Sequence, residues 1–227
     1  MTSQKLIIPI DDNESTSGIL CFPEGYKKEN TIGIIIAHGA ANSMEDALIV
    51  SIAEGLAKTG FLTLRFNFLY REKGKDSIDS QSTLVKTWVS VYNFFKEHSE
   101  FAPKQIIATG KSLGGRVLSQ IVADEKISPR GIIFYGYPLH APGKKDKIRD
   151  SHLYLIKTPM FFIEGTRDPF CDLDLLDNVL NKLNAPWNLE KIQNGDHSYK
   201  MPKSEAHKQQ DIYNYIVDKS VEWLLKQ

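Results

Sequence analysis

The sequence is poor in cysteine, and this scarcity excludes two kinds of structural site. Of its 227 residues only Cys21 and Cys171 are cysteines, and they stand far apart with no CxxC spacing. Neither a disulfide framework nor a zinc site is therefore predicted. We expect both thiols to be buried and reduced.

An excess of charge of one sign is also absent. The chain carries 28 basic and 28 acidic side chains, so its formal net charge is zero. General binding to nucleic acid or to an acidic membrane surface requires a basic excess, and neither partner is predicted. Charged residues make up 25% and hydrophobic residues 41% of the chain, which is the ordinary balance of a soluble globular protein.

Long apolar runs, internal repeats and low-complexity segments are missing as well. The apolar run within residues 1–9 is too short for a signal peptide, and no later run approaches the length of a membrane span. We therefore expect a cytoplasmic protein. The length suits one α/β domain over residues 1–227, and nothing in the sequence marks a domain boundary.

Short β-branched runs alternate with helical patterns, which is typical of parallel strands joined by helical crossovers. Two early runs, Lys5–Ile10 and Gly18–Phe22, flank a turn-prone cluster and predict an antiparallel start. Six further strands are predicted at Ile32–Ala37, Phe61–Phe66, Gln105–Thr109, Gly131–Tyr137, Met160–Glu164 and Trp187–Ile192. Helices are predicted over residues 45–58, 81–98, 115–123, 173–183 and 207–226. The predicted fold is a mostly parallel sheet of about eight strands flanked by helices.

The most informative motif is Gly110-Lys111-Ser112-Leu113-Gly114, between an apolar strand and a helical pattern. Gly-x-Ser-x-Gly in this context is the pattern of a nucleophile elbow, in which the turn is so sharp that the flanking positions must lack side chains. Ser112 is then predicted to stand at the carboxyl end of the sheet and at the amino end of a helix. Free N–H groups and the helix dipole favour negative charge there.

A serine nucleophile needs a base, and an acid that orients the base. Asp168 is predicted as the acid, because glycine and proline fix a tight loop around it in Gly165-Thr166-Arg167-Asp168-Pro169. Nearby alternatives for the acid are Asp172, Asp174 and Asp177. They are less favoured, because Asp172 is expected to cap the next helix and the other two are expected on the solvated face of that helix.

The base is predicted to be His197, in the polar glycine loop that follows the last strand. Ser112, Asp168 and His197 then follow three different strands in the chain order expected for an α/β-hydrolase. His38 is the competing imidazole, in the small-residue turn after Ile32–Ala37. A histidine at a strand end is expected to brace its loop, so His38 is placed outside the triad.

The turn that contains His38 also supplies a candidate oxyanion hole. Its small residues allow the backbone to approach a substrate closely, and the N–H of Ala40 is predicted to pair with the N–H of Leu113. Together these groups predict an acyl-enzyme mechanism on an ester, thioester or small amide, with a small-molecule acyl substrate as the partner. No metal or organic cofactor is predicted. A peptidase-like enzyme on the same machinery is an alternative.

With these residues the chain resembles α/β-hydrolase-fold proteins, and more narrowly the small bacterial hydrolases related to the testis-expressed α/β-hydrolase-like proteins. The resemblance covers most of the chain from about residue 32 onward. It implies the α/β-hydrolase fold and hydrolase activity. Some relatives in the wider group resemble non-catalytic members of larger assemblies, so a catalytically silent interaction protein is the rival interpretation. The segments that carry the resemblance are 37–40 with Met44, 64–68, 110–116, 136–144, 165–170 and 195–200, and 137–144 is the most group-specific.

About twenty residues separate the strand ending at Tyr137 from the one starting near Met160, where larger hydrolases insert a lid domain. We therefore expect little or no lid and a shallow, open site that disfavours long triglycerides. Basic residues are frequent in these loops and suit an acidic substrate or a phosphate group, whereas a solvated basic loop is the alternative. The substrate-binding candidates are His140, Arg149 and Lys111, within a wider set of Lys144, Lys145, Lys147, Arg116, Arg167, Lys200 and Lys203.

Overall fold

The computed structural model describes residues 1–28, 30–204 and 209–227. Its strands are β1 (Thr2–Pro9), β2 (Ser15–Phe22), β3 (Ile32–Ala37), β4 (Leu62–Phe66), β5 (Gln105–Lys111), β6 (Gly131–Tyr135), β7 (Met160–Gly165) and β8 (Trp187–Ile192). Its helices are α1 (Ala47–Lys58), α2 (Leu69–Glu72), α3 (Gln81–Glu97), α4 (Leu113–Ala123), α5 (Leu173–Leu180) and α6 (Gln209–Leu224), with a 3₁₀ turn at Leu153–Leu155. The helix predicted over 207–226 is seen from Gln209; residues 207 and 208 lie outside the described residues.

All eight strands form one sheet in the order β1-β2-β4-β3-β5-β6-β7-β8. The β1–β2 and β2–β4 pairs are antiparallel. The remaining pairs, from β4 through β3 to β8, are parallel. The predicted antiparallel start and mostly parallel sheet are therefore confirmed. Parallel pairing brings the carboxyl ends of β3, β5, β6, β7 and β8 to one edge of the sheet, where ligand sites of α/β proteins lie.

The sheet separates two apolar clusters, which explains why its inner strands are apolar on both faces. One cluster packs α3, α4 and α5 on the sheet around Trp88 and Phe134. The other packs α1 and α6 on the opposite face around Ile52 and Ile216. A strand buried between two helical layers has no solvent face and so reads as a continuous apolar run. Within the described part of the chain, none of the helices has both the length and the apolar character needed to cross a bilayer.

Local differences from the predicted elements have physical causes. Strand β6 ends at Tyr135 rather than at Tyr137, because Gly136 adopts a φ of 65° that turns the chain out of the sheet. Helix α2 is absent from the prediction, since a single turn is too short to show an apolar period. Cys21 and Cys171 are 1% and 2% exposed and unpaired, as predicted.

The stretch between β6 and β7, residues 136–159, is described throughout. It contains the 3₁₀ turn at Leu153–Leu155 and, over these residues, no inserted helix or strand that would cover the carboxyl edge of the sheet. The expected lack of a lid domain is confirmed.

Candidate active site

Ser112 lies in a strained turn between β5 and α4. Its φ of 48° and ψ of −111° are values that residues with side chains rarely adopt. A Cβ on residue 110 would lie 2.4 Å from the Gly115 backbone nitrogen, and one on residue 114 would lie 2.7 Å from the His38 carbonyl oxygen. Only glycine fits at either position, so the chain takes the elbow conformation that the motif predicts.

Ser112, His197 and Asp168 form a continuous hydrogen-bonded chain. The His197 Nε2 lies 2.8 Å from the Ser112 Oγ, and the His197 Nδ1 lies 2.6 Å from the Asp168 Oδ2. An ionised carboxylate only accepts, so Nδ1 carries the proton and Nε2 accepts from the serine hydroxyl. The loops after β5, β7 and β8 supply these three side chains, so the structure brings together the three residues predicted as nucleophile, acid and base.

The surroundings of Asp168 hold its carboxylate in one orientation. Its side chain is fully buried, whereas 19% of the His197 side chain is exposed. The second carboxylate oxygen accepts from the Phe170 N–H at 2.7 Å, and the Phe170 ring packs against the imidazole with centroids 4.4 Å apart. Asp172, an alternative acid in the sequence, instead caps α5 by accepting from two of its backbone N–H groups.

His38 braces the turn after β3 from inside the protein, as predicted. It is fully buried, its Nε2 accepts from the Phe68 N–H at 3.0 Å, and its Nδ1 donates to the Gly39 carbonyl at 2.7 Å. The Tyr70 hydroxyl donates to the Ala40 carbonyl at 2.9 Å. Both carbonyls of the turn are thus tied to the interior, while the Ala40 N–H donates to no group among the described residues.

The second predicted oxyanion donor starts a helix. Leu113 is the first residue of α4, so its N–H precedes the hydrogen bonds that the helix makes for itself. The positive end of the helix dipole lies at the same place. The two candidate donors are thus one N–H that has no acceptor among the described residues and one at the start of a helix.

Comparison with known protein families identifies the chain. The alpha/beta hydrolase domain matches residues 30–225, which is most of its length. The chain belongs to the alpha/beta hydrolase domain family. This membership agrees with the sheet order and with the strand–turn–helix geometry at Ser112.

Solved structures share the fold of this alpha/beta hydrolase. Dienelactone hydrolase from Anabaena variabilis gives a TM-score of 0.78 at 18% identity, over 99% of this chain and 97% of that one. Est1E from Butyrivibrio proteoclasticus with bound ferulic acid gives 0.77 at 16% identity, over 98% and 100%. XC6422 from Xanthomonas campestris, a serine hydrolase without a lid, gives 0.73 at 16% identity, over 99% and 95%.

Two of the predicted substrate-binding residues of this alpha/beta hydrolase, His140 and Lys111, are buried in the structure. His140 is 1% exposed, its Nε2 accepts from the Asp172 N–H at 2.9 Å, and its Nδ1 donates to the Ala141 carbonyl at 3.0 Å. Both ring nitrogens are therefore hydrogen-bonded to backbone groups. Through these two bonds His140 connects its own loop to the loop that carries Asp168. Lys111 is 4% exposed and lies beneath the turn after β3.

Arg149, the third such residue, is partly exposed and neighbours Arg116 of α4. The pKa of Arg116 is lower than its ordinary value. Burial is the main cause, and the positive charge of Arg149 is the second. The lysines of the same loop face solvent, and Lys145 forms an exposed ion pair with Asp172 at 2.5 Å. Among the basic residues of this loop, Arg149 is partly buried, whereas the three lysines are exposed.

The structure also contains a buried acid that the sequence reasoning missed. Glu164 lies near the end of β7 and is fully buried, and its Oε1 accepts from the Tyr137 N–H at 2.5 Å. The signal in the sequence is a charged residue that ends the apolar run Met160-Phe161-Phe162-Ile163. Burial raises the pKa of this carboxyl group well above its usual range, because a charged carboxylate is costly to bury.

Protonation of His38 is expected to destabilise this alpha/beta hydrolase in mild acid. Burial lowers the pKa of His38 from 6.5 to about 4. Because the folded pKa lies below the unfolded one, the stability from the neutral ring is complete above pH 6.5 and is lost as the pH falls toward 4, by about 3 kcal/mol. Urea unfolding between pH 4 and 7 measures this, with His38→Gln as the variant that lacks the titration. The same pH dependence in both proteins would contradict the prediction.

Proposed function

We propose that this protein is a serine hydrolase that cleaves an ester, thioester or small amide through an acyl-enzyme, in the manner of a carboxylesterase. The observation that carries the proposal is the hydrogen-bonded chain of Ser112, His197 and Asp168 at an edge of the sheet without a lid domain. Family membership supports it, as do the likenesses to a dienelactone hydrolase and to an Est1E complex with ferulic acid. The proposed location is the cytoplasm, because a reducing compartment keeps the two buried thiols free.

In the proposed reaction the Ser112 Oγ attacks the acyl carbon while the His197 Nε2 takes its proton. Asp168 stabilises the imidazolium and keeps the Nδ1 proton in place. The N–H groups of Ala40 and Leu113 hold the negative charge that develops on the carbonyl oxygen, and each such donor contributes about 10²-fold to 10³-fold in kcat. His197 then returns the proton to the leaving group. Water attacks the acyl-enzyme by the same steps, releases the acid and restores Ser112.

We also propose that Arg149 and Arg116 favour an acyl substrate that bears a negative charge. The Arg116 N–H donates to the Ser112 carbonyl at 2.9 Å, so Arg116 lies one helical turn beyond the nucleophile. Neither guanidinium forms an ion pair within residues 1–28, 30–204 and 209–227, and Arg149 has only a 3.4 Å contact to the Pro138 carbonyl. A pair of arginines without a carboxylate partner suits a carboxylate or phosphate group.

A fluorophosphonate probe tests the nucleophile directly. The wild type should be labelled, because the probe forms a covalent bond to an activated serine oxygen, and Ser112→Ala should not be labelled. Ser151→Ala is the matched control, since Ser151 is an exposed serine outside the triad, and it should be labelled like the wild type.

Labelling of Ser112→Ala, or of neither protein when both are folded, would contradict the acyl-enzyme mechanism. Absence of labelling in both folded proteins would favour a catalytically silent interaction protein. A panel of short esters, thioesters and peptides then separates ester from amide cleavage. Each neutral ester is paired with an acidic ester of the same length, so that the panel also reports the preference for charge.

A further inference from the structure

The Lys111 side chain runs beneath the loops that carry the proposed catalytic groups. It ends β5, directly before Ser112, and it is 4% exposed. A Cβ on residue 136 would lie 2.7 Å from the Lys111 Nζ and 3.5 Å from the His197 Nδ1. Because Gly136 has no side chain, the Lys111 amine fits beside it. This space lies next to the His197 Nδ1, the ring nitrogen that is bonded to Asp168.

The Lys111 amine is a buried charge without a direct partner. Its Nζ has no hydrogen-bond partner in the described part of the chain. Burial lowers its pKa to about 8, so the side chain remains a cation at pH 7. The Tyr199 ring covers it, with the centroid 5.7 Å from Nζ. An unscreened charge in such a place acts on its neighbours through space.

The groups that face this ammonium are acids. Asp168 is the acid that most favours the charged form of Lys111, followed by Glu164, and then by Asp46 and Asp196. The strongest partner of the buried cation is thus the acid of the triad. Because Lys111 is 4% exposed, its charge is not presented at the surface where a substrate would bind.

Glu164 is the other buried acid beside Lys111, and burial disfavours its charged form. The pKa of Glu164 is well above its usual range. Complete burial is the main cause, and the negative charge of Asp168 is the second. Burial likewise raises the pKa of Tyr199 and of Cys171, which face Glu164, so both are neutral. Tyr199 and Cys171 therefore add no charge beside the imidazole.

We propose that Lys111 is a positioning residue whose positive charge, buried beside Gly136 and the His197 imidazole, sets the pH range over which His197 acts as a base. A carboxylate next to an imidazole favours the protonated ring, which cannot accept the serine proton. A cation close to the same carboxylate opposes this effect. The neutral base therefore persists to lower pH than a triad without the lysine would allow. The catalytic part of this inference rests on the proposed function.

Replacing Lys111 with methionine removes the charge and keeps an unbranched side chain. The acid limb of kcat/KM against pH is expected to move up by about one pH unit, so that activity below the limb falls about tenfold while the plateau above it is kept. Glu164→Gln is the matched control, because it is nearly isosteric, keeps the Lys111 ammonium and changes a carboxyl group whose charged form burial disfavours. Its acid limb should coincide with that of the wild type.

An NMR titration of the imidazole rings provides a readout that needs no turnover. The His197 signals are assigned by their absence from a His197→Gln spectrum, and their midpoint should rise by about one pH unit in Lys111→Met. Lys111→Gln takes its place if Lys111→Met does not fold. An unmoved midpoint with an equal loss of activity at every pH would overturn the proposal and leave Lys111 a packing role. If the wild type neither reacts with the fluorophosphonate nor hydrolyses any substrate, the proposed function fails, yet the titration still decides the role of Lys111.

Discussion

Replacing Ser112 or His197 with alanine is expected to lower kcat by about 10⁵-fold to 10⁶-fold, and the double variant is expected to lose no more than either single variant. The reason lies in the 2.8 Å hydrogen bond between the two side chains. Without the imidazole the serine hydroxyl keeps its proton, and without the serine the imidazole has no nucleophile to activate. Steady-state kinetics of the three variants on the best substrate of the panel measures this.

The chain offers a matched control in a second serine–histidine pair. The Ser119 Oγ lies 2.7 Å from the His152 Nε2, but Ser119 is fully buried and shares that nitrogen with the Tyr137 hydroxyl. Ser119→Ala and His152→Ala should therefore keep kcat within about tenfold of the wild type, since neither side chain is hydrogen-bonded to Ser112, His197 or Asp168 in the described part of the chain. Losses that multiply in the Ser112 and His197 double variant would show that His197 is not the base.

Replacing Asp168 with asparagine is expected to lower kcat by about 10⁴-fold while the fold is kept. An amide in this place no longer fixes the proton on the His197 Nδ1, and it does not stabilise the imidazolium. The change is isosteric, and the remaining oxygen can still accept from the Phe170 N–H. Circular dichroism and kinetics of the same preparation separate the loss of activity from a loss of structure.

Asp172→Asn is the control for this change. Asp172 is four residues away and caps α5, and asparagine caps helices as well as aspartate does. This variant should retain the activity of the wild type. A similar loss in both variants would mean that the order of the whole loop, and not the charge of Asp168, is what matters.

Most residues of the candidate site could be predicted because short local motifs determine the turns that carry them. Ser112, Asp168 and His197 each stand in a glycine loop after a strand, and parallel strands bring such loops to one edge. The bracing role of His38 followed from its position at the end of β3. The start of α4 at Leu113, two residues before the predicted start, reflects the direct passage from the elbow into the helix.

What could not be predicted depends on contacts between distant segments. Lys111 and His140 stand beside catalytic motifs, yet both side chains point inward, and only the packing of Gly136 and of the Asp172 backbone shows this. The exchange of β3 and β4 in the sheet order also has no local signal. Periodicity predicts that a strand exists and not which neighbour it pairs with.

The position of β8 at the end of the sheet affects how the site responds to stress. Ser112 follows β5, which is held between β3 and β6, whereas His197 follows β8, which has a neighbour on one side only. Edge elements open locally at a lower free energy than the centre of a sheet. If β8 opens before the central strands, the imidazole separates from the serine while the central strands remain paired. We therefore expect the proposed activity to be lost at a lower urea concentration than the one that unfolds the whole domain.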